Sequence, residues 1–241
     1  MHIVAIGGGE ISLNQTLEID QFIVDLTQQK RAKALFIPTA SNDASGYCET
    51  FDQVYGKQLG CITDYLCLLD QKTSREDIQQ KIDWADLVYV GGGNTLAMMQ
   101  QWKNYGVDLM LRDAGQRGCV LSGLSAGAIC WFSSGLSDSD AFTGDSQWQY
   151  RQVQGLNLSP YLFCPHVDEE QRHEPFLKAV QQTQVIGIGA DNGAAIWINN
   201  DQYQALSCLP NAAVGLYLPV DDDCINYARF SNGHRLPIGA F

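Results

Sequence analysis

Val120-Leu121-Ser122-Gly123-Leu124-Ser125-Ala126-Gly127-Ala128 is the stretch from which the rest of the chain can be read. Its apolar start predicts a short buried strand, and Ala126-Gly127-Ala128-Ile129-Cys130-Trp131 predicts a helix. Between them Gly123-x-Ser125-x-Gly127 has the pattern of a nucleophile elbow, a strand-to-helix turn that lifts a serine hydroxyl clear of a sheet. Glycine on either side permits so sharp a bend. The N-terminus of the following helix presents unpaired N–H groups to a developing oxyanion.

Strands and helices alternate outward from this point. Apolar runs at 3–6, 34–37, 62–69 and 87–90 predict strands. The first ends in Gly7-Gly8-Gly9, read as a structural turn, and the last in Gly91-Gly92-Gly93. Leu17, Phe22, Ile23 and Leu26 recur at helical spacing, 49–59 suits a helix, Ser74 with Asp77 starts another, and Asn94 caps a further one. Short, wholly apolar strands separated by helices predict a mainly parallel sheet covered on both faces, an α/β sandwich. From about residue 185 the candidate strands 185–188, 194–198, 203–206, 214–218 and 224–230 follow one another closely. They are expected to add antiparallel strands at the sheet edge.

At 241 residues with 45% hydrophobic content, the expectation is one domain spanning 1–241. A net charge of −12 argues against nucleic acid or an anionic membrane as partner. Any acidic substrate must then be caught by a local Arg or Lys. Met1-His2-Ile3-Val4-Ala5-Ile6 reads as a strand rather than a signal peptide, and no apolar run approaches spanning length, so a cytoplasmic protein is expected. The eight cysteines are scattered without a C-x-x-C pair and read as small hydrophobes, with no metal site or cofactor implied. The chain is expected to act as a monomer or homodimer.

A serine nucleophile needs a base, and there are four histidines. His2 lies in the first strand, His173 in a helix-like segment and His234 in a late turn. His166 alone follows a strand stopped by Pro165, which places its imidazole at the carboxyl edge of the sheet, where open α/β proteins build their sites. The acid that would orient this ring is open among Asp138, Asp140, Asp168 and Asp191, because spatial closeness is the criterion. The second oxyanion donor falls to the Gly91-Gly92-Gly93-Asn94 loop, which lacks both dinucleotide and Walker spacing.

Tyr89-Val90-Gly91-Gly92-Gly93-Asn94-Thr95, the elbow, and Cys164-Pro165-His166-Val167-Asp168 together resemble the peptidase E family, serine peptidases that include α-aspartyl dipeptidases and have cyanophycinase as a relative. The resemblance covers nearly the whole chain. It implies a flavodoxin-like or class I glutamine amidotransferase-like fold, with Ser125 as nucleophile, His166 as base, and Gly92 and Ala126 as oxyanion amides. The family acid falls in the loop after the elbow helix, on Asp138 or Asp140. Asp138 is preferred because Ser137 and Ser139 flank it. Gly93, Asn94 and Arg172 are expected to meet substrate, a small peptide with N-terminal Asp among the candidates. Arg172 is the one arginine after His166 in that stretch, and Asp191-Asn192-Gly193 stands where well-known members carry Pro-Glu-Gly. Two other readings accompany this one: a non-catalytic ligand-binding module, and a cyanophycinase-like or amidotransferase-like hydrolase. The amidotransferase chemistry is expected to need cysteine at the elbow.

Overall fold

The computed structural model describes residues 1–69, 73–144, 146–221 and 224–238. The apolar runs fold as β1 (His2–Ile6), β2 (Lys33–Ile37), β3 (Ile62–Tyr65), β4 (Leu87–Val90) and β5 (Val120–Leu124). These five are parallel, in the order β1-β5-β4-β2-β3. Every residue of β4 and β5 is buried, as expected for strands covered on both faces. The covers include α1 (Leu17–Leu26), α2 (Ser45–Phe51), α3 (Arg75–Trp84), α4 (Thr95–Tyr105) and α5 (Val107–Gln116). Ser74 and Asp77 close a capping box on α3, and the Asn94 side chain accepts the Ala97 amide at the start of α4. Caps of this kind contribute about 1 kcal/mol each. The helix expected over 49–59 begins earlier, as α2, and widens into π-type turns over Asp52–Gln58.

After the single-turn α6 (Ala126–Ile129) the chain leaves this sheet. A second sheet forms from β6 (Phe132–Ser137), β7 (Arg151–Gln154), β8 (Ser159–Pro165) and β9 (Gly187–Ala190), with α7 (Glu170–Thr183) between β8 and β9. The α/β class stands, but the late strands are divided. β10 (Ala194–Asn199) and β11 (Gln202–Ser207) extend the first sheet antiparallel beyond β1. β12 (Val214–Asp221) and β13 (Cys224–Phe230) extend the second sheet, in the order β13-β12-β9-β8-β6-β7. β9 departs from the expected antiparallel edge because it pairs parallel with β8 through the crossover helix α7. One apolar cluster joins the two sheets, taking Val88 and Leu121 from the first, Phe163 and Ile188 from the second, and the fully buried Trp102 and Trp131. Among the described residues no helix is long and apolar enough to cross a membrane. All eight cysteines are free thiols, with Cys61, Cys119, Cys130 and Cys164 buried.

Two pairs of strands bring their carboxyl ends together. Ser125 follows β5 and Gly7-Gly8 follow β1; His166 follows β8 and Asn192 lies two residues past β9. The His166 amide donates to the Gly7 carbonyl at 3.2 Å, and an isolated bridge joins Gly8 to Asn192. The two sheets therefore meet at the point where these side chains converge.

Candidate active site

The elbow needs both of its glycines for packing as well as for bending. A Cβ on Gly123 would stand 2.3 Å from the Gly127 carbonyl oxygen, and one on Gly127 would stand 2.1 Å from that of Val90. Both contacts are with backbone, so no side-chain adjustment relieves them. Ser125 has φ 55 and ψ −113, a conformation that costs a non-glycine residue on the order of 1–3 kcal/mol. The Ser125 amide donates to the Ile6 carbonyl at 3.0 Å, which ties the strained turn to β1. With α6 only one turn long, the single Ala126 amide at its start matters more than any axial dipole, having no intrahelical acceptor.

Ser125 Oγ lies 2.9 Å from His166 Nε2, and His166 Nδ1 lies 2.6 Å from Asn192 Oδ1. Behind Asn192 stands Asp168, whose Oδ1 accepts the Asn192 amide N–H at 2.9 Å and its side-chain Nδ2 at 3.2 Å. A carboxylate only accepts, so Asp168 must face the NH₂ end of Asn192. The Asn192 oxygen is thereby turned to the ring, which fixes the hydrogen on Nδ1 and leaves the Nε2 lone pair towards Ser125. Burial holds the His166 pKa below its usual 6.5, and the Arg172 charge pushes in the same direction. The ring is thus a neutral acceptor near pH 7.

None of the four candidate carboxylates is the ring's hydrogen-bond partner. Asp138 instead accepts from Arg172 Nη2 at 2.7 Å, and Asp140 faces Arg151 at 3.3 Å. The reason is strand order: Asp138 directly follows β6, which lies on the side of β8 away from β9. Asp191 is buried, accepts the Ala213 amide at 2.9 Å and pairs with Arg229. Asp168 reaches the ring only through Asn192. Sequence reasoning passed over Asn192, a neutral residue in a turn-like Asp-Asn-Gly. Gly8 was passed over as well. Its Cβ would fall 2.2 Å from both His166 Nδ1 and Asn192 Oδ1, so this glycine leaves room for the pair.

Ser125 and His166 open into a cleft of about 450 Å³ also lined by Gly92, Tyr47, Ile11 and Glu10. The Tyr47 hydroxyl interacts with the Gly92 backbone, and burial pushes its pKa up to about 12, so it stays protonated. Gly93 and Asn94 do not line the cleft. Gly93 takes φ 135 with Ala40 against it, where a Cβ would clash, and Asn94 is occupied capping α4. Arg172 does not line it either. It is 4% exposed, held by Asp138, faced by Glu169 at 3.5 Å, and lies over the Tyr150 ring at 5.0 Å.

Residues 3–206 match the model of peptidase family S51. The uncharacterized peptidase YgaJ of Bacillus subtilis (strain 168) is 34% identical over 209 residues, 85% of this chain and 86% of that protein. Peptidase E of Escherichia coli (strain SMS-3-5) is 27% identical over 194 residues, covering 76% and 79%. Among solved structures, a peptidase from an acI-B1 Actinobacterium superposes with a TM-score of 0.71 at 18% identity, covering 98% of this chain and 96% of its own. A putative peptidase E protein from Listeria monocytogenes EGD-e gives 0.65 at 21% identity, covering 86% and 98%. At these identities the two structures speak to the fold.

Proposed function

This chain belongs to peptidase family S51, and from that membership together with the geometry at the elbow we propose that it hydrolyses small peptides through Ser125, His166 and Asn192. The observation that carries the reading is the unbroken line Ser125 Oγ–His166 Nε2, His166 Nδ1–Asn192 Oδ1, at 2.9 and 2.6 Å, set on a strained serine at the mouth of a cleft. Ser125 Oγ attacks the scissile carbonyl carbon as its proton passes to Nε2. The imidazolium so formed returns that proton to the leaving amine. Water, deprotonated by the same nitrogen, then releases the acyl group from Ser125. The Ala126 amide and the Gly92 backbone, which lines the cleft beside Ser125, stabilise the oxyanion.

An amide takes the place that a carboxylate fills in a Ser-His-Asp arrangement. Asn192 fixes the tautomer without a charge of its own, and the charges that favour the imidazolium are those of Glu169, whose Oε1 lies 3.7 Å from His166 Nδ1, and of Asp138. Cysteine chemistry of the amidotransferase kind has no support at the elbow. The nearby Cys130 is buried, spends its thiol on the Gly127 carbonyl and has its pKa raised well above the usual range by burial. The test is a dipeptide library assayed for free amine, alongside labelling by a fluorophosphonate read by intact mass. Ser125→Ala should keep the fold and lose roughly 10⁴-fold or more of the activity and all labelling. A folded Ser125→Ala protein that retains hydrolysis would falsify the assignment.

A further inference from the structure

Among the described residues that line the cleft beside Ser125, Glu10 is the one Asp, Glu, Lys or Arg. Glu10 follows the triple glycine after β1 and lines the same cleft as Ser125 and His166. Its carboxylate is held in place: Oε1 accepts from the Ser12 hydroxyl at 2.9 Å and the Ser12 amide at 3.2 Å. The Glu10 amide in turn donates to Gln15 Oε1 at 2.8 Å. Among the described residues no Lys, Arg or His is paired with Glu10. The arginine expected to grip an acidic substrate, Arg172, is buried on Asp138 outside this cleft. A substrate carboxylate would therefore meet like charge here and no cation, whereas an ammonium would meet a carboxylate already oriented by two donors.

We propose that Glu10 receives an ammonium carried by the amino-terminal residue of the peptide, so that the site takes unblocked peptides and disfavours N-terminal Asp; this rests on the serine-peptidase reading above. Every unblocked dipeptide carries its α-amine two bonds from the scissile carbonyl carbon, close to any carboxylate fixed beside the nucleophile. A Lys or Arg side chain at the same residue is a second source of the same charge. Charge-assisted hydrogen bonds are shorter and stronger than neutral ones, and a pre-organised acceptor loses little freedom in making them. Glu10 also caps the short 3₁₀ turn Ile11–Leu13 through Ser12, a role that a glutamine oxygen can fill without the charge. Glu10→Gln therefore separates recognition from local structure.

The test compares p-nitroanilides of Ala, N-acetyl-Ala, Lys, N-acetyl-Lys and Asp on wild type, Glu10→Gln and Glu10→Lys. Wild type is expected to prefer Ala over N-acetyl-Ala. Glu10→Gln should lower kcat/KM for the Ala substrate roughly 10- to 100-fold, chiefly through KM, and leave N-acetyl-Ala within about twofold. Glu10→Lys should raise the rate on Asp. A Glu10-dependent preference for N-acetyl-Lys over N-acetyl-Ala assigns the side-chain ammonium; its absence assigns the α-amine. Equal losses on all five substrates, or a wild type that prefers Asp, overturn the Glu10 assignment alone. So does hydrolysis of none of the five by a protein that a fluorophosphonate labels at Ser125. Neither hydrolysis nor labelling in the folded wild type overturns the peptidase reading as well.

Discussion

Replacing Gly8 by Ala adds one methyl group at the position where it does the most harm to chemistry and little to the fold. The new carbon would sit 2.2 Å from His166 Nδ1 and from Asn192 Oδ1, and 2.3 Å from His166 Cε1. Ordinary contact begins near 3.4 Å, so the ring edge or the amide must retreat by about 1.2 Å. That displacement cannot be absorbed while the 2.6 Å bond to Asn192 and the 2.9 Å bond to Ser125 both persist. A misplacement of about 1 Å in a catalytic group costs on the order of 10²-fold in rate. The atoms struck belong to side chains, so overpacking should cost only about 1–3 kcal/mol of stability. Gly8 is not among the glycines with positive φ, so alanine brings no backbone strain of its own. Stability and activity should therefore part: a Tm lowered by a few degrees, with kcat/KM on the best dipeptide substrate down by about 100-fold. Thermal unfolding followed by circular dichroism and steady-state kinetics on the same preparation read both. A folded Gly8→Ala protein within about threefold of wild-type kcat/KM, where about 100-fold is expected, would refute the placement of the ring against Gly8.

Three further outcomes follow from buried charges. Because burial and Arg172 hold the His166 pKa below 6.5, kcat/KM should fall on acidification with a midpoint below 6.5, and a midpoint at or above that value contradicts the site's electrostatics. Arg172→Met removes a positive charge near the ring and should move that midpoint upward, while the loss of the Asp138 pair costs roughly 2 kcal/mol of stability. KM for Asp-Xaa and Ala-Xaa peptides should shift alike in this variant, and a selective loss on Asp-Xaa would return Arg172 to the substrate. Asp20 is buried against Thr16 and Tyr55, and desolvation raises its pKa from 3.8 to about 6, so the folded state binds the extra proton between those values. Its contribution is therefore fully present below about pH 4 and is lost as the pH rises through 6, a difference of about 3 kcal/mol. Asp20→Asn should gain stability relative to wild type by up to that amount between pH 4 and 7, and parallel denaturation curves across this range would exclude it.

What the sequence determined by itself is local. Apolar runs broken by glycine, the Ser74 and Asn94 caps and the Pro165 stop each act within a few residues, and each was legible because propensity, patterning and capping are short-range. The elbow belongs with them, since a strand, a tight turn and a helix start are all encoded between 120 and 131. The choice of partner for the His166 ring belonged to the tertiary structure. Asp138 lies closer to Ser125 along the chain and Asp168 lies two residues from His166, yet the ring faces Asn192, because β9 rather than β6 lies on that side of β8 and its following turn brings Asn192 beside the β1 loop and the ring. Turn glycines of one composition likewise took different work. Gly8 leaves space for a side-chain pair, Gly93 turns the chain against Ala40, and Gly92 borders the cleft. The charge that faces the cleft was settled in the same way, with Arg172 held on Asp138 away from it and Glu10 lining it. Which ionic group is already paired depends on contacts such as Arg172 with Asp138, 34 residues apart in the chain, and a carboxylate or guanidinium bound in one place is unavailable in another.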